Sequence, residues 1–274
     1  MSLVMTLLVR DEEDVLDANM RYHLEQGVDH IIVTDNLSVD GTADIIDGYV
    51  RQGVATNIHE PDNKFAQSKW VSRMARMAYD KQARWVIHCD ADEFWMTDGG
   101  ETLDRYFGRR RLSNVVRAPR HDLVCLENDG EPFWHRMVWR KTQSLNPSGR
   151  PLPPKIAHRA HADAVVGMGN HKVTEIGRQR RYDKGLQILH YPLRSREQYE
   201  RKIRLGGQAL ANNPDLPEHL GGTWRRQFTE LQDTGRLAYV EENVVGTDGL
   251  EAMKAAGEVI KDTRLRDYFT EKGE

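Results

Sequence analysis

Cysteine is nearly absent from this chain: Cys89 and Cys125 are the two in 274 residues. Cys89 lies inside an apolar run that reads as a buried strand, so a disulfide framework is not expected and a reducing compartment is. Long apolar runs are also missing. Leu3–Val9 is too short to cross a bilayer, has no basic region before it, and meets Arg10-Asp11-Glu12-Glu13 at once. It reads as the first core strand, not as a signal peptide or a transmembrane span. A cytoplasmic location is therefore the expectation. A charge excess of one sign is lacking as well: a net charge of −3 gives no basic field of the kind that draws nucleic acid. No long internal repeat, low-complexity tract or clear linker interrupts the chain. Its length suits one large α/β domain, or one domain with an appendage.

What is present is alternation. Leu3–Val9, His30–Thr34, Val54–His59 and Trp85–Cys89 read as strands. Glu13–Gln26, Ala43–Gln52 and Phe65–Lys81 read as the helices between them, the first two stopped by Gly27 and Gly53. Strands and helices at this spacing predict β-α-β units and a largely parallel sheet. Beyond Trp95 a short helix is expected at Thr102–Phe107, and strands at Val115–Leu126, Phe133–Lys141, Lys155–His161 and Leu186–Leu189. Asn146–Pro154 reads as a loop, and 167–172 as a glycine-rich turn. Helices are expected at Arg196–Leu210, where Ser195 and Gln198 suit a capping box, and at Gly222–Thr234 and Leu250–Phe269.

The predicted strand Trp85–Cys89 runs straight into Asp90-Ala91-Asp92-Glu93. Carboxylates two residues apart at a strand end are costly unless a cation pairs them. A divalent metal carrying a phosphorylated ligand would do so. The loops after the other strands carry Arg10-Asp11, Asp35-Asn36 and Asp62-Asn63. Four polar loops on the carboxyl rim of one sheet predict a ligand site there.

Several phrases resemble a known family. Val9-Arg10-Asp11-Glu12-Glu13, the phrase from Tyr22-His23 to Gly27-Val28-Asp29, and Asp35-Asn36-Leu37-Ser38-Val39-Asp40-Gly41-Thr42 are similar to the opening of a family 2 type glycosyltransferase of the branch related to family 92. Trp85–Phe94, and His190-Tyr191-Pro192-Leu193-Arg194-Ser195 followed by Lys202, resemble later segments of the same branch. The resemblance implies the GT-A fold: α/β, a mostly parallel central sheet flanked by helices, here with a helical C-terminal tail. It implies a GT-A domain over residues 1–202, with a nucleotide-binding half at about 1–98 and an acceptor half at 99–202, and a helical extension over 203–274. It also implies Mn2+ or Mg2+, a nucleotide-sugar donor (a UDP-sugar is expected), and inverting transfer to the hydroxyl of a glycan or lipid-linked acceptor, in surface polysaccharide or glycoconjugate synthesis. Association with a membrane surface is compatible with this, and the oligomeric state is left open.

On that reading Asp92 coordinates the metal, and Asp90 holds the ribose or a metal-bound water. The resemblance makes His190 a third metal ligand and sets Asp35 at the base or ribose, flanked by Arg10 and Asp11. Asp62 and Gln67 lie where they would reach the nucleotide, and His171, Lys172 or Lys202 where they would meet the diphosphate. Each has a plain alternative: a turn aspartate, a histidine satisfied by the backbone, a solvated lysine. An inverting transfer needs a general base. Asp122 and Glu127 are placed ahead of Glu93 and Asp163, because they follow the acidic cluster where an acceptor site is expected. Trp134 and Trp139 suit acceptor stacking or a core. The basic run at Arg178, Arg180 and Arg181 suits a solvated face, an anionic acceptor or a membrane surface. Two rival readings are a non-catalytic nucleotide-binding module and a haloacid-dehalogenase-type phosphatase. The second expects its D-x-D on the first strand and Thr or Val where Phe94 stands.

Overall fold

The computed structural model describes residues 2–64, 66–127, 130–146, 149–213 and 221–274. In chain order its elements begin with β1 (Leu3–Val9), α1 (Leu16–Glu25), β2 (His30–Asp35), α2 (Thr42–Arg51), β3 (Ala55–His59), α3 (Gln67–Asp80), β4 (Trp85–Cys89), β5 (Glu93–Thr97), α4 (Leu103–Gly108) and β6 (Val115–Ala118). Then come β7 (Arg120–Asp122), β8 (Cys125–Leu126), α5 (Phe133–Arg136), β9 (Trp139–Lys141), β10 (Lys155–Arg159), β11 (Val165–Val166), β12 (Val173–Thr174), β13 (Arg181–Tyr182) and β14 (Leu186–His190). The chain closes with α6 (Arg196–Ala211), α7 (Gly222–Thr234), α8 (Ala238–Asn243), β15 (Val244–Val245), α9 (Thr247–Ala255), β16 (Val259–Lys261) and α10 (Arg264–Glu271). It packs as two compact units, Met1–Arg120 with Pro153–Ile188, and His121–Leu152 with Leu189–Glu274.

The first unit is built on a seven-stranded sheet in the order β13-β6-β10-β4-β1-β2-β3. β1 pairs in parallel with β2 and β4, and β2 with β3. β1, β2 and β4 carry near-continuous apolar runs and are almost wholly buried, as strands covered on both faces are. Val4, Ile32 and Val86 pack with Val71, Met74, Ala75 and Ala78 of α3. β10 runs antiparallel to both β4 and β6. That reversal decides the site: it carries the first residue of β10, Lys155, to the edge where β4 ends, and the end of β6 to the same edge. The second unit has a smaller core, Val124, Leu250 and Val259, with Trp139 and Met253 packed against it.

Three expected elements are corrected. The strand expected at Val115–Leu126 is broken into β6, β7 and β8; Pro119, with no N–H to donate, ends β6. The strand expected at Phe133–Lys141 is the helical turn α5 followed by β9. Pro132 presets the turn, its carbonyl accepting from the His135 N–H. The helix expected at Leu250–Phe269 is α9, β16 and α10. Gly257, at φ +69°, stops α9, and β16 pairs with β9 far upstream. The start expected at Phe65, and part of the 146–154 loop, lie outside the described residues. The cap at Ser195 is present: its hydroxyl accepts from the Gln198 N–H at 3.1 Å. Both cysteines are buried and free.

Candidate active site

The rim of the first unit is stitched from its own loops. Asp35 accepts from the N–H (3.1 Å) and hydroxyl (2.6 Å) of Ser38. Asp11, at φ +53°, accepts from the Val39 N–H at 2.7 Å, and its own N–H donates to Ser38 Oγ. Asn36 donates to the carbonyls of Glu60 and Asp62. Arg10 reaches Asn63 at 2.7 Å, and Asp62 accepts from the Lys64 N–H. The phrase from Asp35 to Thr42 thus locks three strand-end loops together. This local bonding is what such residues do at turns.

The acidic loop is clamped from α1. Asn19 donates to the carbonyls of Ala91 (2.9 Å) and Glu93 (2.7 Å). Tyr22 donates to the Trp95 carbonyl. His23 bonds the Asn19 carbonyl through Nδ1, and Nε2 accepts from the Trp95 N–H. That pair of bonds requires neutral imidazole, and burial pushes His23 down to about 4. The Tyr22-His23 phrase is therefore a structural clamp on β5.

The cations beside the cluster come from the protein itself. Lys155, 1% exposed, places Nζ 2.5 Å from Asp90 Oδ2 and 3.2 Å from Glu93 Oε1. Arg120 lies 3.3 Å from the same Glu93 oxygen. Asn170 donates to Asp90 Oδ1 at 3.1 Å. Burial alone would raise the Asp90 carboxyl; Lys155 outweighs it, and the group stays below the usual carboxylate range. Burial opposes the charge of Lys155, and Asp90 and Glu93 overcome that, holding the ammonium above its ordinary value. Glu93 is fully buried between two cations, which makes it a poor base. Asp92 is 2% exposed on the same loop.

Around this cluster, Gln67 accepts from the Gly169 N–H at 2.9 Å. His171 bonds the Pro154 carbonyl, and burial, then Lys155 and Arg120, push it down to about 4. A Cβ on Gly169 would come within 2.5 Å of the His171 ring, and one on Gly167 within 2.7 Å of Lys172. The glycines of this turn therefore let the chain run close under both side chains. Lys172 itself is exposed. In the second unit, His190 Nδ1 lies 2.7 Å from Asp122 Oδ1, and Ser144 Oγ accepts from the Asp122 N–H. Donation from Nδ1 leaves the acceptor lone pair on Nε2. Glu127 is exposed there, and Lys202 lies on α6. Asp163 is an exposed residue of the first unit. Trp134 packs on Phe269, 4.6 Å between centroids, and Trp139 packs, partly buried, against the second unit's core.

Residues 7–234 match a family model described as glycosyltransferase family 92. The chain belongs to that family. It is a glycosyltransferase with a mixed α/β fold on a mostly parallel sheet, as expected of the GT-A type. This membership excludes the phosphatase reading. A search of curated proteins finds no match. Among solved structures, S. aureus TarS residues 1–349 in complex with UDP-GlcNAc is similar at 15% identity and TM-score 0.47, over 84% of this chain and 72% of that one. Glucosyl-3-phosphoglycerate synthase from Mycobacterium tuberculosis, in complex with Mn2+, UDP-glucose and phosphoglyceric acid, is similar at 14% identity and TM-score 0.32, over 43% and 44%. HddC from Yersinia pseudotuberculosis is similar at 11% identity and TM-score 0.39, over 73% and 97%.

A family 92 glycosyltransferase of GT-A type implies a divalent metal, and the donor chemistry at the rim fits one. Among the described residues no group of three or more His, Cys, Asp or Glu side chains could hold a metal by itself. A magnesium-like ion needs less: one or two carboxylates, with substrate phosphates and water filling the rest. Asp92 and the one-third-exposed Asp90 are of that type. Beside them Asn170 Oδ1 is a buried oxygen with no hydrogen-bond partner among the described residues.

Proposed function

We propose that this glycosyltransferase takes a nucleotide-sugar donor, a UDP-sugar, with Mn2+ or Mg2+ at the Asp90–Glu93 loop, and transfers the sugar with inversion to an acceptor hydroxyl. The observation that carries this is the pairing of Asp90 and Glu93 by Lys155 and Arg120. Lys155 and Arg120 hold Asp90 and Glu93 in place, and Asp92, on the same loop, is the carboxylate assigned to the metal, as the resemblance implies. Asp90, fixed on one oxygen by Lys155 and on the other by Asn170, takes the role of holding ribose or a metal-bound water. When bound, the metal would stabilise negative charge developing on the departing diphosphate.

The remaining roles rest on placement and resemblance. Asp35 presents to the nucleotide the carboxylate oxygen that Ser38 does not use, with Arg10 and Asp11 beside it. Asp62 and Gln67 stand at the third strand's loop and at the start of α3. His171, neutral and held over its glycine turn, would donate to or accept from the donor, and Lys172 beside it would supply positive charge for its phosphates. Within the second unit Asp122 holds His190 through Nδ1 and so fixes its tautomer, an arrangement common behind metal-binding histidines. With Asp122 and Glu93 both engaged, the exposed Glu127 becomes the preferred carboxylate base.

The reading is tested by thermal shift against a panel of sugar nucleotides, each with and without Mn2+. Stabilisation that needs both the metal and a uridine nucleotide supports it. Stabilisation by nucleotide unaffected by a chelator removes the metal from the proposal.

A further inference from the structure

The edge of the first unit opposite the acidic rim is a field of arginines. Parallel strands all begin on one edge of a sheet and end on the other. Arg84 precedes β4, Asn114 precedes β6, Arg181 opens β13, and the antiparallel β10 brings its last residue, Arg159, to the same place. Backbone and side-chain bonds draw the loops there into one surface. The Arg180 carbonyl accepts from the Asn114 N–H, and the Arg178 carbonyl from the Asn114 amide. Arg180 Nε donates to the Leu112 carbonyl at 2.6 Å, and Arg159 donates to the Arg110 carbonyl at 2.5 Å. The Arg84 carbonyl accepts from the Ala160 N–H. Crowding shows in Arg159, which burial, then Arg84 and Arg180, hold below the ordinary arginine value.

Arg84, Arg111, Arg178, Arg180 and Arg181 are all exposed, and none forms an ion pair among the described residues. Two of the carboxylates nearby in sequence are already used, Asp183 by Arg117 and Glu101 by Arg109. In the middle of the array Leu112 is 83% exposed, directly after Arg109-Arg110-Arg111. We propose that this edge docks on an anionic phospholipid surface, the arginines meeting lipid phosphates and Leu112 entering the headgroup layer. Guanidinium groups match phosphate geometry, and an exposed apolar side chain among cations is the pattern of an interfacial contact. A single-stranded nucleic acid is the poorer fit, because it seeks open aromatic faces. Two rings beside the array, Tyr106 and Tyr182, are covered by the Arg110 guanidinium at 4.0 and 4.2 Å. The net charge of −3 makes the patch a local feature and not a property of the whole chain.

The test is sedimentation of the full chain with vesicles of one part phosphatidylglycerol to two parts phosphatidylcholine, against pure phosphatidylcholine. Binding to the first and not the second is expected, weakening as salt rises. Arg84→Gln, Arg111→Gln and Arg178→Gln should each reduce it by about fivefold, the effect of one basic residue near an anionic surface. Leu112→Asp should also reduce it. These side chains make no hydrogen bond that holds the fold, and an unchanged melting temperature checks that each variant is native. Equal binding to both vesicle types, binding undiminished in the triple Gln variant, or full displacement from vesicles by polyuridylate would overturn the proposal.

Discussion

Asp92 and Lys155 carry opposite expectations at the residue scale. Asp92→Asn removes a charge without changing shape, so the melting temperature should move little while metal-dependent donor turnover falls by at least a hundredfold, about 3 kcal/mol of transition-state stabilisation. Activity equal to wild type would return Asp92 to a structural role. Lys155→Met leaves Asp90 and Glu93 short of a buried cation. Breaking a buried pair on one side costs about 3–5 kcal/mol, readable as a fall in the urea midpoint. Adding Asp90→Asn to that variant should recover part of the loss, since the stranded charge is then removed. Gly169→Ala would force its Cβ to within 2.5 Å of the His171 ring at φ +71°. The expected result is weaker donor binding by calorimetry, with α3 and the sheet intact by circular dichroism.

At the scale of elements, the strand ends matter because they are held from outside. α1 fixes the acidic loop through Asn19, Tyr22 and His23. Tyr22 and His23 are legible in the sequence as part of a family phrase, but not as a clamp, since their partners lie about seventy residues on. In the second unit α6 and α7 approach closely because Gly206 and Gly207 face Trp224 and Phe228. A Cβ on Gly207 would lie 2.3 Å from Phe228 Cγ. Gly207→Val should destabilise the protein by about 1–3 kcal/mol through overpacking, seen in thermal unfolding. A neutral outcome would mean that the helices separate without penalty.

The whole molecule should be sensitive to mild acid. His23 and His158 are each held neutral by burial, with values near 4 against an ordinary 6.5. Between those values the unfolded chain takes up protons that the folded chain refuses. Stability is therefore full above pH 6.5 and falls as pH drops toward 4, by up to about 1.4 kcal/mol per pH unit for each histidine. Asp90, held below the usual carboxylate range, adds to this slope with the same sign only at its acid end, where the unfolded carboxyl begins to take up protons that the folded one refuses, and Lys155, held above its ordinary value, does not titrate in this window. Urea unfolding at pH 7, 6 and 5 checks the sign, and a midpoint that rises on acidification would refute it.

The sequence alone determined the alternation of the first unit and its acidic strand end. Both are local: apolar runs of strand length, helical spacing, and carboxylates at one turn, each within a few residues of the next. The bounds of β1 and α7 fall where the periodicity puts them. The second unit resisted the same reading because its short strands exist through their partners. β16 pairs with β9, and β15 with β8, across more than a hundred residues, and no local pattern announces such strands. Only the tertiary structure decided which cation meets Asp90. The strand-end acids predict that a positive charge must be near; they do not say whose. Lys155, sixty-five residues on, looks like any strand residue until the antiparallel run of β10 places it against β4. The requirement for charge balance is written along the chain, but the group that meets it is set by strand order.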